Sequence, residues 1–164
     1  MVFQVDAIGS LEMYGERLRN VLSSAVRTVV ELGIDGDCVD ASRVPKWFAG
    51  HTDRGGFADI PVEALGGRRV YLDEREQSEW DLQEWLYCFE PDLRRWSWWD
   101  LTVGCDGRTL LLWVDTSGEL VVPCDELWWA IFATGARGAS ASMGRASQDW
   151  DSRPSVGLGL DGPR

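Results

Sequence analysis

Tryptophan is concentrated in one stretch of this chain, and that stretch constrains the fold more than any other feature. Eight of the ten tryptophans fall between residues 80 and 129: Trp80, Trp85, Trp96, Trp98, Trp99, Trp113, Trp128 and Trp129. Each indole buries a large area, so this stretch must either supply the hydrophobic core or present an aromatic surface. With 45% apolar residues over 164 positions, the chain can form one globular domain with its own core.

Helical periodicity is clearest near the start of the chain. Residues 2–7 alternate and predict a short first strand, after which Ser10 opens an amphipathic helix that extends to Leu32. Its apolar stripe repeats at intervals of three and four residues and consists of Leu11, Tyr14, Leu18, Val21, Leu22, Ala25, Val29 and Leu32. Gly33 is a suitable residue to end this helix.

The middle of the chain predicts shorter elements. Residues 44–48 predict a helical turn that brings two aromatic rings to the core, and the apolar run at 69–72 predicts a strand. A second helix is expected to begin at Ser78, with Asp81 three residues on as in a capping box, and to end before Pro91. Its core stripe consists of Leu82, Trp85, Leu86 and Phe89.

The second half of the chain predicts a sheet followed by a buried helix. Three strands are expected to form a β-meander, at residues 96–103, 109–115 and 119–122, and the first turn carries the strong hairpin signal Asp106-Gly107. A last helix, capped by Asp125 and ending at Gly135, is apolar on every side, so we expect it to be buried. The predicted fold class is α+β, with the long N-terminal helix and two further helices packed on an antiparallel β-meander sheet.

Composition changes after residue 135. Residues 136–164 are rich in Gly, Ala and Ser and contain one aromatic residue, Trp150. Such a segment buries too little apolar area to offset the entropy of ordering it. We therefore predict a single acidic α+β domain at 1–135 and a flexible C-terminal tail at 136–164.

The net charge of −11 limits the classes of partner. An acidic chain repels phosphate backbones and anionic membrane surfaces, so we expect neither nucleic acid nor a membrane as partner. A basic protein partner is favoured, although an acidic surface can equally serve solubility alone.

No secretory signal or membrane-spanning stretch is visible, and the four widely spaced cysteines are interpreted as reduced thiols, so we expect a cytoplasmic protein. The oligomeric state is left open.

Motifs for catalysis, metals and cofactors are weak. His51 is the only histidine, and although Asp53 could orient it as a base, no nucleophile with motif context accompanies it. The acidic residues at 35–40 lack the ligand spacing of a calcium loop and are interpreted as a turn. Residues 157–162 match the dinucleotide glycine fingerprint by letter only, since no strand precedes them and no helix follows. We expect no catalytic residue, no metal and no cofactor, and we favour a non-enzymatic protein.

The strongest functional signal is an acidic helix with aromatic residues on its outer side. Residues 73–92 carry a net charge of −7, and on a helical wheel Trp80 and Tyr87 fall opposite the core stripe, with Glu84 beside them. Apolar anchors ringed by charge are typical of binding hot spots. The predicted partner-binding residues are Glu76, Trp80, Asp81, Glu84, Tyr87 and, on the first meander strand, Trp98. Alternatively, a second layer such as the first helix or the segment around Trp150 covers these rings.

Four short motifs follow one another between Trp96 and Trp150, which is about a third of the chain: Leu112-Trp113-Val114-Asp115, Gly118-Glu119, Ala133-Thr134-Gly135 and Trp150 itself. In this arrangement the chain resembles immunity proteins of bacterial polymorphic-toxin systems, in which a β-meander precedes a helix that ends near Thr-Gly and a stretch that closes on a tryptophan. The resemblance implies a cytoplasmic, antitoxin-like inhibitor that covers a basic toxin domain and has no catalytic residues.

Two other functions stay open. A small-molecule-binding protein or enzyme would have a pocket lined by some of Trp96, Trp99, Trp113 and Trp128, with His51 or Asp53 as a polar group. A phage or accessory structural protein would dock through an exposed face of the last helix, formed by Trp128, Trp129 and Phe132, and would form a homo-oligomer.

Overall fold

A computed structural model describes residues 1–32, 39–51, 59–75, 78–119, 121–143, 150 and 154–157. The elements in chain order are β1 (Val2–Ala7), α1 (Leu11–Leu32), α2 (Lys46–Ala49), α3 (Val62–Arg75), α4 (Leu82–Tyr87), β2 (Ser97–Val103), β3 (Leu110–Asp115), α5 (Asp125–Ala133) and β4 (Ala136–Ser142). The α+β class predicted from the sequence is confirmed. Among the described residues, no helix is both long and apolar enough to cross a membrane.

The sheet is antiparallel, with strand order β2-β3-β1-β4. The predicted hairpin of β2 and β3 is present, and Leu101 pairs with Leu112 across it. The described residues of the third meander strand predicted at 119–122 (119, 121 and 122) lie in no strand, and β1 occupies the place beside β3, with Phe3 opposite Leu112. The amide of Glu119 closes a turn on Thr116, and the chain then leaves the sheet toward α5.

The predicted first helix is confirmed as α1. The side chains of its apolar stripe from Tyr14 to Val29 are buried, in the same core cluster as the sheet residues Phe3 and Leu112. The hydroxyl of Tyr14 donates a hydrogen bond of 2.9 Å to the carbonyl of Ile131, which ties α1 to the last helix. The core therefore lies between one face of the sheet and the helices.

The strand predicted at 69–72 is wrong, because these residues belong to the helix α3. Only Tyr71 of this apolar run is fully buried. This helix packs closely on α5: a Cβ at Gly67 would lie 2.1 Å from the carbonyl oxygen of Phe132, so a glycine is needed where α3 meets the end of α5. A run of three apolar residues is too short to distinguish a strand from one side of a helix.

The two remaining helices differ from the prediction at their starts. Asp81, three residues after Ser78, is the N-cap of α4 and accepts hydrogen bonds from the amides of Gln83 and Glu84, so the helix begins at Leu82. Cys124, rather than Asp125, is the N-cap of α5. The predicted burial of α5 is confirmed, with Trp129 and Ile131 fully buried.

The C-terminal segment contributes to both edges of the sheet. Ala136–Ser142 form β4 beside β1, so the predicted tail does not begin at residue 136. At the opposite edge, Val156 donates to the carbonyl of Leu101, and Ser155 forms a bridge with Thr102 of β2. Backbone hydrogen bonds attach these residues to the sheet. The composition of the segment does not predict such bonds, because every residue type except proline can donate them.

Asp100 joins this C-terminal segment to α1. One of its oxygens accepts a hydrogen bond of 2.6 Å from Arg19, and the other accepts from Trp150 and Ser155. Burial alone would raise the pKa of Asp100, but these donors, with the amide of Leu101, lower it. The carboxylate is therefore held in its charged form where three parts of the chain meet.

Candidate functional site

The outer side of α4 presents part of the predicted partner-binding surface. Glu84 and Tyr87 are exposed, and the side chain of Tyr87 retains 51% of its accessible area. Asp81 is exposed at the start of the helix, where it acts as the cap. Glu76 lies outside the described residues. The structure thus brings Asp81, Glu84 and Tyr87 together on one short helix.

Two predicted anchors have neighbours inside the protein. Trp80 is half-buried against the core, and its indole nitrogen donates a hydrogen bond of 3.2 Å to the hydroxyl of Tyr71. Trp98 is also half-buried, on β2, where the guanidinium carbon of Arg19 lies 5.4 Å from its ring centroid. Neither ring stands free on the surface beside Tyr87. For Trp80 and Trp98 the structure therefore favours the alternative interpretation, in which other parts of the protein cover the rings.

Internal contacts fix the position of α4. The side-chain amide of Gln83 exchanges two hydrogen bonds with the backbone of Val39, at 2.7 and 3.1 Å. The indole of Trp85 is fully buried and donates to the carbonyl of Glu126 at 3.0 Å. Because both sides of this short helix are held, its outer side chains project from a rigid base.

A groove runs beside the exposed ring of Tyr87. We call it the Tyr87 groove; it has a volume of about 170 Å³ and is lined by Tyr87, Cys88, Leu93, Arg94, Arg95, Pro123 and Glu126. Leu93 retains 48% of its accessible area, so it forms a second exposed apolar wall. The sequence analysis missed Leu93 because it follows Pro91 and therefore lies outside the helical pattern.

Charges of both signs lie at the Tyr87 groove: Arg94, Arg95 and Glu126 line it, and the charges of Glu84 and Asp125 lie nearby. The pKa of Cys88 is raised to about 11, first by burial and then by the negative charges of Glu126, Asp125 and Glu84. The pKa of Glu126 is itself raised, mainly by burial, although the indole of Trp96 donates a hydrogen bond to its carboxyl group. The exposed carboxylates of Glu84 and Asp125 suit a ligand that combines an apolar surface with positive charge.

His51 is a core residue. Its side chain is 3% exposed and lies among the rings of Trp47, Phe48 and Trp129, with centroid distances of 6.2 to 6.3 Å. Burial, and secondarily the charge of Arg68, lower the pKa of His51 to about 4. Asp53, which the sequence suggested could orient His51 as a base, lies outside the described residues.

In the described ranges, no group of three or more His, Cys, Asp and Glu side chains is placed to hold a metal ion. Of the acidic residues at 35–40, Asp40 is described, and its carboxylate accepts the amide of Ser42 at the start of a 3₁₀ turn. Cys88, Cys105 and Cys124 are present as thiols. Cys38 lies outside the described residues.

The two alternative functions, a tryptophan-lined pocket and docking through the last helix, each require a particular placement of tryptophan side chains. Trp113 lies on the outer face of the sheet with Val2 and Leu111, whereas Trp96 belongs to the core on the helical side, so these two rings do not share a pocket. An exposed face of the last helix is not found either. Trp129 and Phe132 are buried, and the ring of Trp128 stacks edge-on against Phe3 at 4.8 Å.

The candidate site is therefore the acidic outer side of α4 together with the Tyr87 groove. Its exposed rim combines Tyr87 and Leu93 with nearby negative charge. Comparison of the chain with protein-family models, with curated protein sequences and with solved structures finds no match.

Proposed function

We propose that this chain is a non-enzymatic bacterial protein-binding domain, an inhibitor of the immunity or antitoxin type that acts in the cytoplasm and covers a basic partner protein. The observation that carries the proposal is the pair of half-exposed apolar side chains, Tyr87 and Leu93, which line one groove with the carboxylates of Glu84, Asp125 and Glu126 nearby. Large apolar side chains that remain exposed on a rigid surface are typical anchors of protein interfaces.

The exposed carboxylates of α4 and of the start of α5 favour a basic partner. Within the described part of the chain, Asp81, Glu84 and Asp125 form no ion pair, so their charges are available to a partner. A lysine or arginine could lay its aliphatic stem against Tyr87 and Leu93 and place its charge near these carboxylates. With a net charge of −11, the whole protein would also accelerate encounter with a cationic protein.

Binding to the basic proteins encoded beside the gene for this chain tests the proposal. Each is purified and titrated by calorimetry at low and at high salt, against the wild type and against Tyr87→Ala with Leu93→Ala. If both side chains are interface anchors, the double variant weakens binding by at least about tenfold, which corresponds to about 1.4 kcal/mol. Glu84→Lys should slow association and reduce the dependence on salt.

Matched controls separate this surface from the rest of the protein. Val30→Ala removes an equally exposed apolar side chain from α1, and Glu16→Lys reverses an exposed charge on the same helix, so both should bind as the wild type does. Equal affinity of the Tyr87/Leu93 variant and the Val30 variant would refute the proposed surface. Failure of every basic neighbour to bind would refute the proposed function.

A further inference from the structure

A second cleft shares Arg94 and Arg95 with the Tyr87 groove, and its walls are polar. We call it the Arg94 cleft. It has a volume of about 420 Å³ and is lined by Pro91, Arg94, Arg95, Trp96, Ser97, Thr116, Ser117 and Glu119. This volume lies within the range of about 300–1,000 Å³ that small-molecule sites occupy.

Neither of the two arginines of this cleft forms an ion pair with a carboxylate in the described part of the chain. Among the described residues, no carboxylate oxygen lies within 4.0 Å of either guanidinium group, although Glu119 stands on the rim. Although the acidic residues of the chain outnumber the basic ones by 27 to 16, the described part of the chain supplies no carboxylate partner for these two neighbouring arginines.

The fold holds Arg94 in this position. Its amide donates a hydrogen bond of 3.0 Å to the carbonyl of Glu90, and its guanidinium carbon lies 5.7 Å from the ring centroid of the buried Trp96. Burial lowers the pKa of Arg94, with no opposing contribution from a neighbouring anion. A half-buried guanidinium of this kind gains most from a bound anion, because its planar donors match a carboxylate or a phosphate.

We propose that the Arg94 cleft is a binding site for a small polar organic anion that carries a carboxylate or phosphate group. Arg94 and Arg95 would bind the anionic group, while the exposed hydroxyls of Ser97 and Ser117 would contact polar substituents of the ligand. The hydroxyl of Thr116 already donates to the carbonyl of Glu119 and shapes the wall. Arg94 and Arg95 also line the Tyr87 groove, but the inference does not rest on the protein-binding function proposed above.

Calorimetry with defined probes tests the cleft, using the full chain at constant ionic strength and neutral pH. The probes are inorganic phosphate, glucose 6-phosphate and citrate, with uncharged glucose as the control. We expect saturable binding of at least one anionic probe with one site per chain, and no binding of glucose. Binding of both phosphates without citrate would assign a phosphate ligand, and binding of citrate alone would assign a carboxylate; either result supports the site.

Charge-removing variants locate the binding. Arg94→Gln should weaken binding by at least about tenfold, since hydrogen bonds between charged groups are the strong ones. Arg108→Gln removes an exposed arginine from the β2–β3 turn and should leave affinity unchanged. Arg95→Gln, at an exposed position, provides the same test if Arg94→Gln fails to fold. Absence of saturable binding to the wild type, or equal weakening by the Arg94 and Arg108 variants, would overturn the proposal without affecting the proposed protein partner.

Discussion

Acidification should destabilise this protein through one buried side chain, His51. The folded state lowers its pKa from 6.5 to about 4 because the ring is buried among aromatic residues beside the charge of Arg68. Between these two pKa values the unfolded chain binds a proton that the folded chain does not. The free energy of unfolding therefore falls as the pH is lowered through this window, and no further loss from His51 occurs below about pH 4.

The size of the effect follows from the shift. A difference of about 2.5 pKa units corresponds to about 3 kcal/mol when the window has been crossed completely. Between about pH 7 and pH 5 the loss is about 2 kcal/mol, and ordinary carboxyl groups contribute little in this range because they titrate below it. The lowered pKa of Asp100 has the same sign, but its contribution is lost only at more acidic pH.

Urea denaturation followed by tryptophan fluorescence measures this loss in the wild type and in His51→Leu. The variant replaces the imidazole by an apolar side chain, so it should lose almost no stability between pH 7 and pH 5. His51→Gln provides a second comparison if the leucine packs poorly. Equal losses in the wild type and in both variants would refute the assignment of the effect to His51, whatever the absolute stabilities.

Three further predictions concern packing and the C-terminal segment. Gly67→Ala should destabilise the protein by about 1–3 kcal/mol in urea denaturation, because its Cβ would collide with the backbone of α5. As the control, Gly138→Ala places a Cβ that meets nothing within 4 Å and should change stability by less than about 0.5 kcal/mol. Trp85→Ala should remove about 3–5 kcal/mol, since the indole is fully buried; a loss below about 1 kcal/mol would contradict this packing. Asp100→Ala should accelerate hydrogen exchange at the amide of Val156, measured by mass spectrometry, because it removes the carboxylate that accepts a hydrogen bond from Ser155. Unchanged exchange would show that the backbone hydrogen bonds alone hold residues 154–157 against the sheet.

Patterns with a clear period predicted the fold well. The stripe of α1 and the alternation of β1 are visible in the sequence because burial on one side imposes a period of 3.6 or 2 residues. The strand predicted at 69–72 is part of a helix, because three apolar residues are too few to distinguish a strand from one side of a helix. β4 was missed because its small side chains leave no apolar pattern, and its position follows from backbone pairing with β1.

The candidate site was predictable only in part. Glu84 and Tyr87 were identified because α4 is regular enough for a helical wheel. Leu93 and the Arg94 cleft were not, since both lie where the chain is irregular and distant segments meet: residues 91–97 contact the turn at 116–119 and the start of α5. Sequence spacing carries no information about such contacts.

The inner position of β1 affects how the protein can be made. Both neighbours of this strand, β3 and β4, come from the last third of the chain. During synthesis the apolar side chains of Phe3 and Val5 therefore leave the ribosome long before their pairing partners exist. The nascent chain must keep this strand from aggregating until the C-terminal third emerges, which makes folding a late event that depends on distant contacts.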